Sequence, residues 1–117
     1  ETWAKGSRNS TGEPGDESWK ASFGPGYVRR GCAEFLLIGA IGKPDWLPGC
    51  RSLRNAFFDP QREHSRKPDS QYDRVEASIA GPYAEIFSRS NRAGWIHFGN
   101  ETGKFGEAHQ GEQHAVQ

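Results

Sequence analysis

A cluster of basic side chains stands directly ahead of a segment with helical spacing, within "REHSRKPDSQYDRVE" at 62–76. The basic members are Arg62, His64, Arg66 and Lys67. Pro68 suits the first turn of a helix, and the amino end of a helix attracts anions through its unpaired N–H groups and its dipole. The pattern predicts a site for a phosphate or a ligand carboxylate. Solvated loop charges would give the same spacing, and the sequence leaves this alternative open.

A second set of polar residues falls where two predicted strands end. Its members are Arg89, Asn91, Asn100 and Glu101. Open α/β sheets bind ligands at the carboxyl ends of their strands. Arg89 suits a ligand carboxylate, and Asn100 with Glu101 suits the paired hydroxyls of a ribose. Each residue type is also common in ordinary turns, so this alternative stays open as well.

The first half of the chain predicts short strands between irregular segments. "ETWAK" at 1–5 is strand-like, and Gly6–Gly26, rich in glycine, serine and proline, predicts a long mobile loop. Phe35–Ile38 is a short apolar run near glycines, typical of a strand buried on both faces of an α/β sheet. Residues 42–61 contain three prolines and predict an irregular connection, in which "LRNAFF" at 53–58 forms a short extended piece.

The second half predicts one helix and two strands. The helix is expected to begin at Pro68 and to end before Gly81. Its apolar face carries Tyr72, Val75 and Ile79. The predicted strands are Tyr83–Phe87 and Trp95–Phe98. The order strand, loop, helix, strand, strand favours a layered α/β domain.

Composition limits the size of the core and the kind of charge. The 117 residues suit one modest domain, but only 33% are hydrophobic. Basic and acidic residues number 15 each, which argues against a protein that is basic throughout. Residues 29–67 nevertheless carry eight basic against four acidic side chains, so a local anion site is expected. The domain is expected to span residues 1–101, followed by a flexible tail at 102–117.

The cysteines, the apolar runs and the spacing of possible metal ligands predict the cellular environment of the chain. Cys32 and Cys50 are expected to be free thiols in a reducing, cytoplasmic environment. No apolar run reaches the roughly 18 residues of a membrane span. The histidines and cysteines lack the spacing of metal ligands, so no metal site is expected. A start at Glu1 and the lack of any methionine indicate a piece of a longer protein.

Four segments in order resemble the N(6)-adenine methyltransferases related to the catalytic subunit of the eukaryotic messenger-RNA methyltransferase, and the bacterial and phage members in particular. The segments are "TWAK" at 2–5, "GYVRRGCAEFLLIGAIGKP" at 26–44, "REHSRKPDSQYDRVE" at 62–76 and "PYAEIFSRSNRAGWIHFGNE" at 82–101. The resemblance implies a partial Rossmann-like methyltransferase sheet, in the permuted order of the amino-methyltransferases. It also implies S-adenosylmethionine as the methyl donor.

The resemblance also assigns cofactor contacts. Lys67 matches a lysine that faces the methionine part of the cofactor. Arg89 matches the arginine that follows a strand, and Asn91 is a looser match nearby. Asn100 and Glu101 match a pair that holds the ribose.

On the substrate side, Glu34 matches an acidic residue near the target base. Candidate contacts to the nucleic acid are Arg29, Arg30, Arg62, His64 and Arg66. Trp19, Phe23 and Tyr27 are candidates for stacking on a base, with anchoring of the loop as the open alternative.

The family's Asp-Pro-Pro-Trp tetrapeptide, which supplies hydrogen-bond acceptors to the adenine amine, does not occur in this chain, so no catalytic residue is assigned. The expected function is that of the carboxyl-terminal part of an enzyme that methylates adenine, in DNA more than in RNA, after the base is flipped out. The alternative is a non-catalytic nucleic-acid-binding partner subunit or a truncated remnant. A homo- or heterodimer is compatible with both expectations.

Overall fold

The computed structural model describes residues 1–63 and 65–106 and shows a small mixed α/β chain. This described part contains five strands, one α-helix and one short 3₁₀ helix. Backbone contacts divide the chain into a first unit, Glu1–Lys43 with Leu53–Pro68, and a second unit, Pro44–Ser52 with the chain from Asp69 onward. Neither helix of the described part is long and apolar enough to cross a membrane.

The first unit is built on a three-stranded sheet. Its strands are β1 (Thr2–Gly6), β2 (Ala33–Phe35) and β3 (Ala56–Pro60). The central strand β1 is antiparallel to β2 and parallel to β3. Trp3 lies opposite Phe57 of β3, and the two are the buried apolar side chains of the described chain, 2% and 8% exposed. The strand predicted at the start of the chain is confirmed, as is an extended piece in the second irregular connection.

The apolar run after Ala33 does not form the buried strand that the sequence predicts. Strand β2 ends at Phe35 and lies at the edge of the sheet, where its pairing partner is β1. Phe35, Leu37 and Ile38 are 78%, 97% and 66% exposed. A strand buried on both faces needs neighbours that pair with it and layers that cover it, and the described part of this unit supplies a partner on one side alone.

The segment Gly6–Gly26 is irregular, as predicted, but its backbone folds back on itself. Gly6 and Ala21 form an antiparallel bridge, and Ser7 N–H donates to the Lys20 carbonyl at 2.7 Å. The Trp19 ring meets the Phe58 ring edge-on, with centroids 6.0 Å apart. A Cβ at Gly6 would lie 2.8 Å from the Ser10 Cβ and 2.9 Å from the Trp19 ring, so a side chain there would force these neighbours to move.

The second unit packs one helix on a two-stranded parallel sheet. Helix α1 spans Ser70–Ser78, and the strands are β4 (Tyr83–Ile86) and β5 (Trp95–Phe98), with Tyr83 opposite Trp95. The half-buried side chains of the two strands are Tyr83, Glu85, Trp95 and His97. The exposed ones are Ala84, Ile86, Ile96 and Phe98.

Helix α1 is shorter than predicted at both ends. It begins at Ser70, with Asp69 in the N-cap position, so Pro68 precedes the helix instead of opening it. At the other end Ile79 has an extended backbone, with φ −151°, and pairs with Trp46 in an antiparallel bridge. The pairing with Trp46 takes Ile79 out of the helical conformation.

The bounds of strand β5 are as predicted, whereas β4 ends one residue early. Phe87 has a φ of +60°, a left-handed conformation that cannot continue a strand and is uncommon for a bulky residue. The polypeptide therefore turns sharply at Phe87.

A buried arginine holds the second unit together. The Arg92 side chain is 0% exposed. Its Nη2 donates to Asp73 Oδ1 at 2.7 Å, and its Nε donates to Glu76 Oε2 at 2.9 Å. Trp95 Nε1 donates to the same Glu76 oxygen at 2.6 Å. The connection between the strands is thus fixed to helix α1 by charge-assisted hydrogen bonds, the stronger kind.

Replacing Arg92 by leucine is expected to lower the free energy of unfolding by about 3 kcal/mol, because Asp73 and Glu76 keep their charges without their partner. Urea denaturation followed by circular dichroism measures this difference. Arg51→Leu is the matched control, because Arg51 is exposed, and it is expected to change stability by no more than about 0.5 kcal/mol. Equal effects of the two substitutions would contradict a structural role for Arg92.

Candidate functional site

The first unit contains a hollow of about 520 Å³, called here the cationic hollow. Its basic lining residues are Lys5, Arg8, Arg62, Arg66 and Lys67. Its acidic lining residues are Glu34 and Glu63. Five positive side chains against two negative ones give a hollow that attracts anions.

Glu34 lies between two lysines in this hollow. Lys67 Nζ donates to Glu34 Oε1 at 2.5 Å, and Lys5 Nζ donates to Glu34 Oε2 at 3.1 Å. Burial alone would raise the pKa of Glu34, but the hydrogen bonds from Lys67 and Lys5 outweigh it, and the pKa lies below its ordinary value. The carboxylate therefore stays ionised at neutral pH and remains an acceptor.

Four residues that the sequence singles out meet in the cationic hollow: Glu34, Arg62, Arg66 and Lys67. The Arg66 side chain is 11% exposed and pairs with Glu63 at 2.8 Å. His64, the remaining basic residue predicted for this loop, lies outside the described residues. The predicted grouping of Lys67 with the arginines is therefore observed, whereas its ligand stays a prediction.

Arg29 and Arg30 lie on the exposed turn that follows Gly24, and they do not line the cationic hollow. The Arg30 guanidinium lies 4.6 Å from the Phe23 ring centroid, and its Nε donates to the Gly24 carbonyl at 2.9 Å. Arg30 therefore supports the turn that forms one wall of the hollow, since Gly24 is among the lining residues.

Of the three candidate stacking residues, Trp19 packs against Phe58, which fits the anchoring alternative. Tyr27 is fully exposed, and Phe23 is largely exposed beneath Arg30. These last two are the more exposed rings, whereas Trp19 is half-buried.

The second unit contains a smaller hollow of about 280 Å³, called here the strand-end hollow. Its lining residues are Phe87, Ser88, Arg89, Asn100 and Glu101. The first three follow β4 and the last two follow β5. Because β4 and β5 are parallel, their carboxyl ends meet at one edge, which places Arg89, Asn100 and Glu101 together as the sequence predicts.

The two turns that line the strand-end hollow approach each other closely at Gly99. Gly99 has a φ of +138°, and a Cβ there would lie 3.0 Å from the Phe87 Cα. Ser88 N–H donates to the Phe98 carbonyl at 2.9 Å and extends the pairing by one step beyond the strands. A side chain at position 99 would push the two turns apart.

Charges at the rim of this hollow are paired. Arg89 Nε lies 3.3 Å from Glu101 Oε1, and Lys104 Nζ donates to Glu101 Oε2 at 3.0 Å. The hydrogen bond from Lys104 lowers the pKa of Glu101, and the positive charge of Arg89 adds to the effect. Glu101 is therefore ionised at neutral pH and accepts hydrogen bonds.

Asn91 is not among the residues that line the strand-end hollow. Its backbone N–H donates to the Gly106 carbonyl at 2.9 Å, and Phe105 N–H donates to the Arg89 carbonyl at 2.8 Å. Residues 102–106, predicted as the start of a flexible tail, are thus bonded to the segment after β4. The remainder of the predicted tail, 107–117, lies outside the described residues.

Sequence reasoning missed Lys5, Arg8 and Arg92. Lys5 stands two residues after Trp3 on β1, and side chains two apart on a strand share a face, so a signal for Lys5 was present. Arg92 carried no comparable signal, because a loop position gives no indication of burial. Among residues 1–63 and 65–106 no group of three or more histidine, cysteine or acidic residues is arranged to hold a metal ion, and both cysteines are free.

Glu34→Gln is expected to lower stability at about pH 7 by no more than about 1 kcal/mol, because the carboxylate is partly exposed to solvent. The folded pKa of Glu34 is lowered, so this contribution is present above the unfolded value and is lost as the pH falls through the folded one. Urea denaturation at about pH 7 and about pH 3 should show a difference from the wild type that is smaller in acid. A difference that is the same at both pH values would contradict the ion pairs.

Comparison of the chain with protein-family models, with curated proteins and with solved structures finds no match, so the family resemblance depends on the four quoted segments alone.

Proposed function

We propose that this chain takes part in S-adenosylmethionine-dependent methylation of the exocyclic amino group of adenine in a nucleic acid, DNA more than RNA. It would act as the carboxyl-terminal part of the enzyme. The observation that carries the proposal is the strand-end hollow, where a guanidinium, an amide and an ionised carboxylate share the carboxyl edge of two parallel strands. The resemblance assigns these same residues, Arg89, Asn100 and Glu101, to the cofactor.

The side chains of the strand-end hollow fit one polar part of such a cofactor. Carboxylate and amide oxygens accept hydrogen bonds from vicinal hydroxyls, and the amide N–H₂ donates in return. The volume of about 280 Å³ lies just below the range of roughly 300–1,000 Å³ that is usual for small-molecule pockets. The hollow is therefore suited to a ribose, and the other parts of the cofactor would need other residues.

S-adenosylmethionine supplies a methyl group on a cationic sulfur when it is bound. The role proposed for the residues of this chain is to bind and orient the cofactor. Asn100 and Glu101 would hold the ribose hydroxyls, and Arg89 would keep Glu101 in place through their ion pair. None of the described residues is assigned as the acceptor for the adenine amine.

The cationic hollow supports the nucleic-acid part of the proposal. The resemblance assigns Lys67 to the methionine part of the cofactor; Lys67 lines the cationic hollow of the first unit, where Glu34 is proposed to lie near the target base. Arg62 and Arg66 are proposed to contact phosphates, which position a polynucleotide without reading its sequence. The excess of positive charge in this hollow also favours the second candidate function, a partner subunit that binds nucleic acid without catalysis.

The cofactor proposal is tested by calorimetric titration of the chain with S-adenosylmethionine. Asn100→Ala and Lys67→Ala should each weaken binding by roughly 1 to 3 kcal/mol, the usual cost of removing a hydrogen-bonding partner. Arg51→Ala is the control on an exposed arginine outside both hollows, and it should bind like the wild type. Wild-type binding that neither hollow variant changes would refute the assignment.

The nucleic-acid proposal is tested by fluorescence anisotropy with a labelled DNA oligonucleotide at several salt concentrations. The double variant Arg62→Ala/Arg66→Ala should reduce the slope of log K against log salt by about one unit per residue. Lys43→Ala/Arg51→Ala removes two exposed charges outside the hollow and should leave the slope nearly unchanged. A normal slope in the first variant would place the polynucleotide elsewhere, and salt-dependent binding without cofactor binding would favour the second candidate function.

A further inference from the structure

Strands β4 and β5 are parallel, yet residues 87–94 alone connect them. Two parallel strands that are adjacent in a sheet usually need a crossover connection of roughly a dozen residues or more, commonly a helix. These eight residues must leave the carboxyl end of one strand and return to the start of the next without any regular structure. Such a short connection needs specific contacts to hold its path.

His97 on β5 supplies several of these contacts. Its Nε2 accepts the Arg92 backbone N–H at 2.9 Å, and its Nδ1 lies 2.7 Å from Ser88 Oγ. Ser88 Oγ in turn donates to the Ser90 carbonyl at 2.6 Å. One imidazole ring therefore binds both the beginning and the end of the connection.

These contacts fix the position of the proton on the ring. A backbone N–H can only donate, so Nε2 must be unprotonated and the neutral ring must carry its proton on Nδ1. That proton is donated to Ser88 Oγ, whose own proton is committed to the Ser90 carbonyl. Ser88 is also 1% exposed, so Ser88 and His97 cannot act as a nucleophile and its base.

We infer that His97 is the positioning residue of the strand-end hollow: its Nδ1-protonated ring holds the connection in the path that places Ser88 and Arg89 on the wall of the hollow. Where the inference concerns ligand affinity, it rests on the proposed function. It makes the shape of the hollow depend on the hydrogen bonds of a single side chain.

Protonation of His97 would disturb this arrangement. A proton on Nε2 removes the acceptor of the Arg92 N–H, and the nearest new acceptor, the Arg92 carbonyl, is 3.4 Å away, longer than a good hydrogen bond. The connection would therefore have to shift to bring a hydrogen-bond acceptor within reach of the protonated Nε2.

The charged and titratable groups around the ring come from three elements. Glu85 of β4 faces Nδ1 at 3.3 Å, and Tyr72 of α1 donates to Glu85 at 2.7 Å. The other acidic side chains of α1, Asp73 and Glu76, are engaged by Arg92 of the connection. Glu85 is therefore the carboxylate that would face a positive charge on the ring.

The affinity test uses calorimetric titration with S-adenosylhomocysteine. His97→Leu removes both ring nitrogens and is expected to weaken binding by roughly fivefold or more, the effect of losing about one hydrogen bond. His97→Gln offers an amide oxygen to the Arg92 N–H, so it should keep more of the wild-type affinity than His97→Leu. Wild-type affinity in His97→Leu, or an equal loss in both variants, would overturn the inference.

A second measurement needs no ligand. Nitrogen-15 NMR of the imidazole groups, assigned by comparison with His97→Gln, should show His97 protonated on Nδ1 and unprotonated on Nε2 near neutral pH. Ser88→Ala removes the acceptor of the Nδ1 proton and should raise the Nε2-protonated fraction. A wild-type ring protonated on Nε2 would overturn the inference, whereas lack of S-adenosylhomocysteine binding by the wild type, with the expected ring tautomer, would overturn the proposed function instead.

Discussion

The second unit depends on one buried cation. Arg92 brings a full positive charge to a position without solvent contact, and it is tolerated there because Asp73 and Glu76 surround it with acceptors. Burial would lower the pKa of Arg92, but its hydrogen bonds to the two carboxylates outweigh that effect and raise it. Helix α1 offers few apolar side chains to the sheet, so this ion-pair cluster takes the place of a larger hydrophobic contact.

The largest buried side chains are aromatic in the first unit and charged in the second. In the first, aromatic burial of Trp3 and Phe57 organises three short strands, and charged side chains collect in a hollow. In the second, the most buried side chains are Ser88, Ser90 and Arg92, all from the connection between β4 and β5. Polar burial demands specific partners, whereas apolar burial demands only shape. Individual hydrogen bonds therefore hold the connection in the second unit, and in the first unit they hold the buried Ser10 and the Glu34 carboxylate.

The sequence predicted the elements with strong local signals. The start of the chain and "WIHF" became strands because alternation and β-branched or aromatic residues act locally, and parallel pairing then brought Arg89 and Asn100 together. The apolar run at Phe35–Ile38 was misjudged, because burial depends on what covers a strand and not on the strand itself. Helix α1 was predicted too long, since the bridge between Trp46 and Ile79 joins residues far apart in the chain. The burial of Arg92 likewise depends on residues 16 and 19 positions away, which no local pattern reveals.

Glu34 carries one negative charge between the ammonium groups of Lys5 and Lys67. These three side chains therefore keep a surplus of one positive charge, and an anion that enters the cationic hollow meets two lysines whose positions Glu34 already fixes. The carboxylate lowers the conformational entropy that the lysines would lose on binding, and it offsets part of their charge in return.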